Sequence, residues 1–302
     1  MLDNLQILIA APAVAVDLLI QGVFIGAIFA LVAYGLALVW GVMNVKNLCQ
    51  GDYVIMGGYI AYVVAENGAN PILALPVAFV LMFMFGWAVY VAVIRRVVDR
   101  DMFTSLLATF GLALLIAQIL NLIFGPEVRT AEAGFGTYFP AVGDGLIAIQ
   151  WVRLISLGLA GALALGIVLF MRHSRMGRAI RATAQDPRAA RVLGVNTDQV
   201  YAFTYALNAA ICGAAGVLVS LIWVIQPYFG IVYSIRAFVI VTAAGLGNLP
   251  GVILAGFGLG IAENMSAFLL GAEFAVAAVV SMLLIVLIYR QIQLYRVRQV
   301  VR

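Results

Sequence analysis

The sequence predicts an all-α protein that crosses a membrane about nine times, within a range of eight to ten, and that contains two inverted, glycine-interrupted repeats. Hydrophobic residues make up 65% of the 302 residues and charged residues only 10%, whereas soluble domains are roughly half apolar and a quarter charged. Long uncharged stretches favour helices over a membrane barrel, whose strands would alternate polar and apolar residues. This composition excludes a soluble enzyme, a disordered chain and a disulfide-rich secreted domain.

Uncharged runs define the individual spans, because a helix needs about 20 apolar residues to cross a bilayer. A polar break at 44–50 follows the first run, and a glycine-rich, acidic loop at 127–150 separates the fourth span from the fifth. Gln226, Pro227 and Gly230 break the chain before the seventh span. The predicted spans are 17–40, a short segment at 52–65, 71–94, 102–126, 151–171, 200–225, a short segment at 231–245, 249–270 and 274–289.

The basic residues set the orientation of these spans. Lys46 is the single lysine among 17 basic residues, and six arginines fall within 172–191. Short basic loops stay on the cytoplasmic side, so 95–101, 172–199 and the tail at 291–302 are predicted inside. Nine spans with the N-terminus outside satisfy this rule, provided that 231–245 counts as a crossing. The excess of basic residues is therefore explained by the orientation of the spans in the membrane, and a nucleic-acid partner is not expected.

The two halves of the sequence resemble each other. A first half at 17–100 and a second half at 200–290 each contain a full span, a short Gly-interrupted segment and another span. The short pieces fall at 44–65 and 231–247. Paired interrupted segments indicate a translocation core between repeats. The alternative is that these glycines only permit close helix packing, and the two interpretations are compatible within one transmembrane domain covering 1–302.

The segment 172–199 is the one sizeable polar stretch predicted on the inner face, and its residues favour two short helices. Asp186 followed by Pro187 is typical of an N-cap and a first helical position. Gly194 ends that helix, and Asn196 or Thr197 caps the next one. A second short helix precedes Asp186 at 174–185. The two capped helices indicate a preformed docking surface, although a basic loop that only anchors topology is the alternative.

Two stretches of sequence resemble one transporter family. GRAIRATAQDPRAARVLGVN at 177–196 resembles the ATPase-coupling loop of permease subunits of ABC importers for branched-chain amino acids. AAGLGNLPG at 243–251, followed by GIAE at 260–263, resembles the glycine-rich region of the same family. The resemblance covers about 17–290. It implies ATPase coupling through Gly177, Ala184, Asp186, Pro187, Arg188, Ala189, Arg191, Leu193 and Gly194.

The resemblance also implies an ABC importer permease fold and a division of labour. The chain would be the shorter of two paralogous permeases, paired with the other in the bacterial inner membrane. Two cytoplasmic ABC ATPases and a periplasmic substrate-binding protein would complete the importer. The sequence has no G-x-x-x-x-G-K-[ST] phosphate loop, so ATP and magnesium belong to partner subunits. We therefore expect no cofactor bound by this chain and no enzymatic activity of its own.

Polar residues in the predicted spans are candidates for the translocation pathway, because ionisable groups are costly within a membrane. Arg236 and Glu263 are predicted to pair or to line the pathway. Asp52 stands at the start of a short helix, where the helix dipole favours a carboxylate. The complete set of pathway candidates is Asn44, Lys46, Asp52, Arg236, Gly245, Gly247 and Glu263.

Several functions remain open at this point. The family has glycine and serine where this chain has Ala244 and Asn248, and permeases for urea, short amides and aromatic or carboxylic acids share the architecture. A stand-alone secondary carrier is a further alternative, although it would usually need more mid-span acidic or His residues. An intramembrane enzyme is disfavoured, because the single histidine, His173, falls in a loop and forms no cluster with a nucleophile or a metal ligand.

Overall fold

The computed structural model describes residues 4, 6, 8, 10–98, 100–131, 133–134, 136–138, 149–245 and 247–300. Within this part the chain is almost entirely helical. Glu132, residues 139–148 of the acidic outer loop and the tail residues 301–302 lie outside the described residues. The helices are α1 (Pro12–Met43), α2 (Gln50–Glu66), α3 (Ala74–Ala92), α4 (Met102–Phe124), α5 (Trp151–His173), α6 (Arg175–Gln185), α7 (Pro187–Val192), α8 (Thr197–Ile222), α9 (Gly230–Ala244), α10 (Leu249–Leu270) and α11 (Ala275–Val300).

A two-residue antiparallel pair of strands, β1 (Thr137–Tyr138) and β2 (Ile149–Gln150), closes the base of the outer loop. The same loop is attached to the helices at a second place. Arg129 exchanges backbone hydrogen bonds with Ile225 at 2.9 and 2.8 Å, and its guanidinium donates to the Tyr62 hydroxyl at 3.0 Å. The outer loop therefore ties the end of α2 to the segment that follows α8.

Eight helical segments in the described part are long and apolar enough to cross a membrane, which lies within the predicted range. The ninth predicted crossing is α2, whose 17 residues span about 25 Å against a hydrocarbon core of about 30 Å. Helix directions agree with this crossing. Gly57 packs on Gly213, and Ala61 packs beside Val217, so α2 runs parallel to α8. Nine alternating crossings place the basic segments on one side.

Corresponding helices of the two halves make corresponding contacts, both within and between the halves. Helix α1 packs along α10, and α8 packs along α3 in the equivalent arrangement. Helix α2 crosses α8, while α9 crosses α1. Close approach depends on glycine at these crossings: a Cβ added at Gly22 or Gly26 would meet the backbone of Ile261 or Phe257. In this correspondence α4 is the counterpart of α11, so the structural first half extends beyond the predicted limit of residue 100 to Phe124.

Each half contains one interruption, and both lie at chain breaks that the sequence predicts. In the first half, residues 44–49 separate α1 from α2, as predicted. In the second half, residues 223–229 form an extended segment and a 3-10 turn, Pro227–Phe229, before α9. The break predicted at Gln226, Pro227 and Gly230 coincides with this segment. The segment 231–247, predicted to be short and interrupted by glycine, is a continuous helix as far as Ala244. Gly245 and Gly247, with φ of 92° and 82°, form the turn between α9 and α10 instead.

Candidate functional site

The basic hairpin, defined here as residues 174–196, is built by local capping. The Ser174 side chain accepts a hydrogen bond from the Gly177 amide at 2.8 Å and begins α6. Asp186 accepts from the amides of Arg188 and Ala189 at 2.8 and 3.0 Å and begins α7. Gly194 ends α7 with φ 85°, a left-handed conformation that glycine adopts without strain. The two helices, their caps and the glycine stop are therefore confirmed.

The tip of the hairpin presents apolar side chains to solvent. Val192 is 87% exposed and Leu193 is 82% exposed, and Ala189 is also exposed. Arg188 adds a charged group to this surface, and Ala184 and Pro187 lie at the corner between α6 and α7. Apolar residues this exposed on a capped, rigid element are typical of a surface that a partner protein covers.

The root of the hairpin is fixed to the membrane domain. Gly177 is buried, and an added Cβ would meet the backbone of Phe170 and Met171. Arg181 donates to the Met171 carbonyl. Arg191 donates to the Thr197 hydroxyl at 2.8 and 3.0 Å, which links α7 to α8. Gly177 and Arg191 thus hold the hairpin in place, whereas Ala189 and Leu193 face outward.

Capping also defines the starts of other helices in the chain. Asn196 accepts from the Gln199 amide at 3.2 Å at the start of α8, and Asn248 accepts from the Gly251 amide at 3.1 Å at the start of α10. Asp101 begins α4, and hydrogen bonds from the Thr104 side chain and backbone lower the pKa of its carboxyl below the usual value. These caps let the helices begin at fixed residues on this surface.

The first interruption encloses a buried polar cluster formed by Asn47, Cys49, Tyr53 and Tyr205. The Tyr53 and Tyr205 hydroxyls lie 2.8 Å apart. Tyr205 donates to the Asn47 side-chain oxygen at 3.4 Å, and the Cys49 thiol donates to the same oxygen at 3.0 Å. All four residues are at most 2% exposed. Non-helical backbone at membrane depth is tolerated where protein buries it, as it is here.

Three pathway candidates surround this cluster. Lys46 lies with its Nζ 5.1 Å from the Trp40 ring centre and 5.6 Å from that of Phe238. Asn44 has φ 54° and ends α1 as an exposed residue. Asp52 is 4% exposed and lies in the first turn of α2, close to Gly230. The Ser234 hydroxyl bridges α2 and α9, because it donates to the Leu48 carbonyl at 2.7 Å and accepts from the Gly51 amide at 2.9 Å.

Arg236 of α9 and Glu263 of α10 form an ion pair within the membrane domain. Arg236 Nε lies 3.1 and 2.9 Å from the two carboxylate oxygens of Glu263, and a terminal nitrogen of Arg236 also donates to Glu263. The side chains are 14% and 10% exposed. The predicted pairing is therefore confirmed, and the pair lines a cavity of about 380 Å³.

The structure brings the pathway candidates together only in part. Gly245 and Gly247 lie at the turn between α9 and α10, away from the ion pair. Sequence reasoning missed Tyr53 and Tyr205, which hold the first interruption, and it missed the aromatic residues around Arg236. The guanidinium carbon lies 4.9 Å from the Phe29 ring centre and 5.7 Å from that of Tyr233. Tyr53 and Tyr233 lie near chain breaks, which is a local signal, but Tyr205 and Phe29 lie within long helices, and their contacts are long-range.

The described residues contain no group of three or more His, Cys, Asp or Glu that could hold a metal ion. Cys49 and Cys212 are free and buried. Among the described residues, the two candidate sites are the exposed hairpin tip and the interrupted helices.

Comparison with known proteins agrees with this architecture. Residues 18–289 match the profile of the family described as branched-chain amino acid transport system / permease component. The chain is 29% identical to the high-affinity branched-chain amino acid transport system permease protein LivH of Escherichia coli (strain K12), over 89% of this chain and 91% of that protein. It is 26% identical to the corresponding permease protein BraD of Pseudomonas aeruginosa, over 90% and 92% of the two chains.

A solved structure shares the fold at lower sequence similarity. The structure described as PsaBC from Streptococcus pneumoniae in complex with Fab superposes with a TM-score of 0.52. The identity is 12%, and the match covers 95% of each chain. At this identity the likeness concerns the arrangement of the helices alone.

Proposed function

Because this chain belongs to the family of branched-chain amino acid transport permease components, we propose that it forms the membrane pathway of an ATP-driven importer for branched-chain amino acids. It is a multi-pass inner-membrane protein and one subunit of a larger transporter complex. In this proposal a periplasmic binding protein delivers the amino acid, and the chain moves it to the cytoplasm together with a paralogous permease subunit.

In this proposal two separate ABC ATPases hydrolyse ATP, and this chain binds no cofactor. The observation that carries it is the hairpin, whose tip is apolar and exposed while its root is fixed to α5 and α8. A rigid lever of this kind transmits force from a bound protein to the helices behind it. A secondary carrier would leave the exposed Val192 and Leu193 unexplained.

The experiment replaces Leu193→Asp in the complete importer and measures leucine uptake and retention of the ATPase subunits during purification. We expect both to fall at least about tenfold, because a carboxylate buried without a partner is costly at an interface. Leu193 is exposed in the isolated chain, so insertion into the membrane is expected to stay normal.

The matched control is Arg175→Gln, an exposed residue at the opposite end of the hairpin, which we expect to leave uptake and ATPase retention unchanged. Normal uptake by Leu193→Asp with ATPases retained would contradict the coupling role. Competition of labelled leucine uptake by urea and by an aromatic acid would separate the branched-chain assignment from the alternative substrate classes.

A further inference from the structure

The second interruption, residues 223–229, borders a cavity whose wall contains both charged and aromatic side chains. Its volume is about 380 Å³, and Arg236 and Glu263 are the charged residues among the described side chains that line it. The apolar and aromatic walls come from α1, the second interruption, α9 and α11. They are formed mainly by Ile25, Phe29, Trp223, Phe229, Val232 and Tyr233.

The Arg236 guanidinium uses only part of its hydrogen-bonding capacity in the ion pair. Arg236 donates to Glu263 through Nε and one terminal nitrogen. Its other terminal nitrogen, Nη1, makes no hydrogen bond to any described residue, although a guanidinium carries five N–H donors. The aromatic rings of Phe29 and Tyr233 contact the guanidinium through their faces, an attraction that needs no further hydrogen bond. The guanidinium can therefore accept another anionic group without losing all its contacts.

The cavity lies in the outer half of the membrane domain. Glu263 is the fifteenth residue of α10, so it lies about 21 Å from the cytoplasmic start of that helix. Trp223 follows the outer end of α8 and lines the same space. Val224 and Tyr228 of the interruption are 43% and 49% exposed. The cavity is therefore within reach of a molecule that enters from the periplasmic side.

We propose that this cavity is a binding station for an α-amino acid zwitterion with an apolar side chain. The substrate carboxylate binds Arg236, its ammonium group binds Glu263, and its side chain packs against Phe29, Trp223 and Val232. Each buried charge exchanges one partner for another during binding, so neither is left uncompensated in the membrane domain. The proposal rests on the proposed function and adds to it a site within this chain that selects for both charges of the substrate.

The first test removes both charges together. The double variant Arg236→Met and Glu263→Leu leaves no unpaired ion, and such replacements are often neutral for stability. We expect normal insertion and normal ATPase retention in the complete importer, with leucine uptake reduced at least about tenfold through loss of charged hydrogen bonds. Unchanged uptake would show that the pair only joins α9 to α10, and would overturn the proposal.

The second test measures occupancy directly and does not depend on the stability of that variant. Val276→Cys places a thiol at the cavity wall, while Cys49 and Cys212 are 0% exposed and stay unreactive. In vesicles that contain the complete importer, we expect leucine to slow labelling by a charged methanethiosulfonate at least about threefold. Isocaproate, which lacks the ammonium group, and isopentylamine, which lacks the carboxylate, are expected to leave labelling unchanged.

The control variant Glu66→Cys carries an exposed thiol at the outer end of α2, and its labelling is expected to ignore all three compounds. Equal protection of Val276→Cys by leucine, isocaproate and isopentylamine, or no protection by any of them, would overturn the zwitterion site. Failure of the proposed function has a different signature, because the unmodified importer would then not accumulate leucine at all.

Discussion

The two interruptions occupy equivalent places in the two halves, yet one is filled and the other is hollow. Residues 44–49 are held by hydrogen bonds that join Asn47 and Cys49 to α8 and α8 to α2, and Tyr53 and Tyr205 are fully buried. Residues 223–229 border a cavity, and an ion pair with spare hydrogen-bonding capacity lies at its wall. The same architecture thus provides a fixed anchor in the first half and an accessible polar site in the second.

The largest effect that separates the two halves is expected at the glycine crossing of α2 and α8. A Cβ at Gly57 would meet the backbone of Gly213, and backbone cannot move aside as a flexible side chain can. We expect Gly57→Ala to destabilise the protein by about 3 kcal/mol and to reduce the amount of folded protein in the membrane sharply. Thermal unfolding in detergent, followed by loss of monodisperse protein, measures this.

The control is Gly258→Ala on α10 in the second half, where an added Cβ meets nothing within 4 Å. We expect its unfolding temperature to stay near that of the unmodified chain. Equal destabilisation by the two substitutions would show that the loss at Gly57 does not come from the close approach of α2 to α8.

The next largest effect is expected from Glu263→Gln, which leaves the Arg236 charge without its partner. Both side chains are mostly buried. Breaking a fully buried pair costs about 3–5 kcal/mol, but water in the cavity lowers this cost, so we expect a loss of about 2 kcal/mol. Because the cavity lets water reach Arg236, we expect this variant to remain folded but with a lower unfolding temperature than the charge-free double variant. A Glu263→Gln protein as stable as the unmodified chain would contradict the burial of the pair.

The sequence predicts the hairpin well because its signals are local. Ser174, Asp186 and Asn196 cap the helices that directly follow them, and Gly194 ends α7 within the same short segment. The number and order of the spans also follow from local composition. The pairing of Arg236 with Glu263 was one of two options, and membrane cost alone did not decide between them.

The break at 223–229 was predictable from Gln226, Pro227 and Gly230, but the role of the later glycines was not. Gly245 and Gly247 stand between two helices, and glycines so placed suit a turn or a broken helix equally well. The cavity around Arg236 was not predictable, since Phe29, Trp223 and Tyr233 are brought together by α1, α8 and α9 from distant parts of the chain. Only the fold shows which aromatic residues meet the guanidinium.

A smaller effect is expected from Tyr205→Phe in the filled interruption. The substitution removes the hydroxyl that contacts Tyr53 at 2.8 Å and Asn47 at 3.4 Å. Leaving a buried polar group without a partner costs about 1–3 kcal/mol, so we expect a clear fall in the unfolding temperature. Leucine uptake per folded importer should change little, because the cluster anchors α2 and does not line the second cavity. A large loss of uptake at normal stability would contradict the anchoring role.

The smallest effect is expected from Tyr228→Phe, which makes the matching change in the second interruption. The Tyr228 hydroxyl donates to Gln118 on α4 at 3.3 Å, but the side chain is 49% exposed. Water replaces an exposed hydrogen bond at little cost, so we expect a loss of less than about 0.5 kcal/mol. The ratio of the stability losses in the two tyrosine variants measures how much more tightly the first interruption is held than the second, since each variant removes one hydroxyl that contacts an interruption. Equal losses would mean that α4 and the second interruption are as tightly joined as α2 and α8.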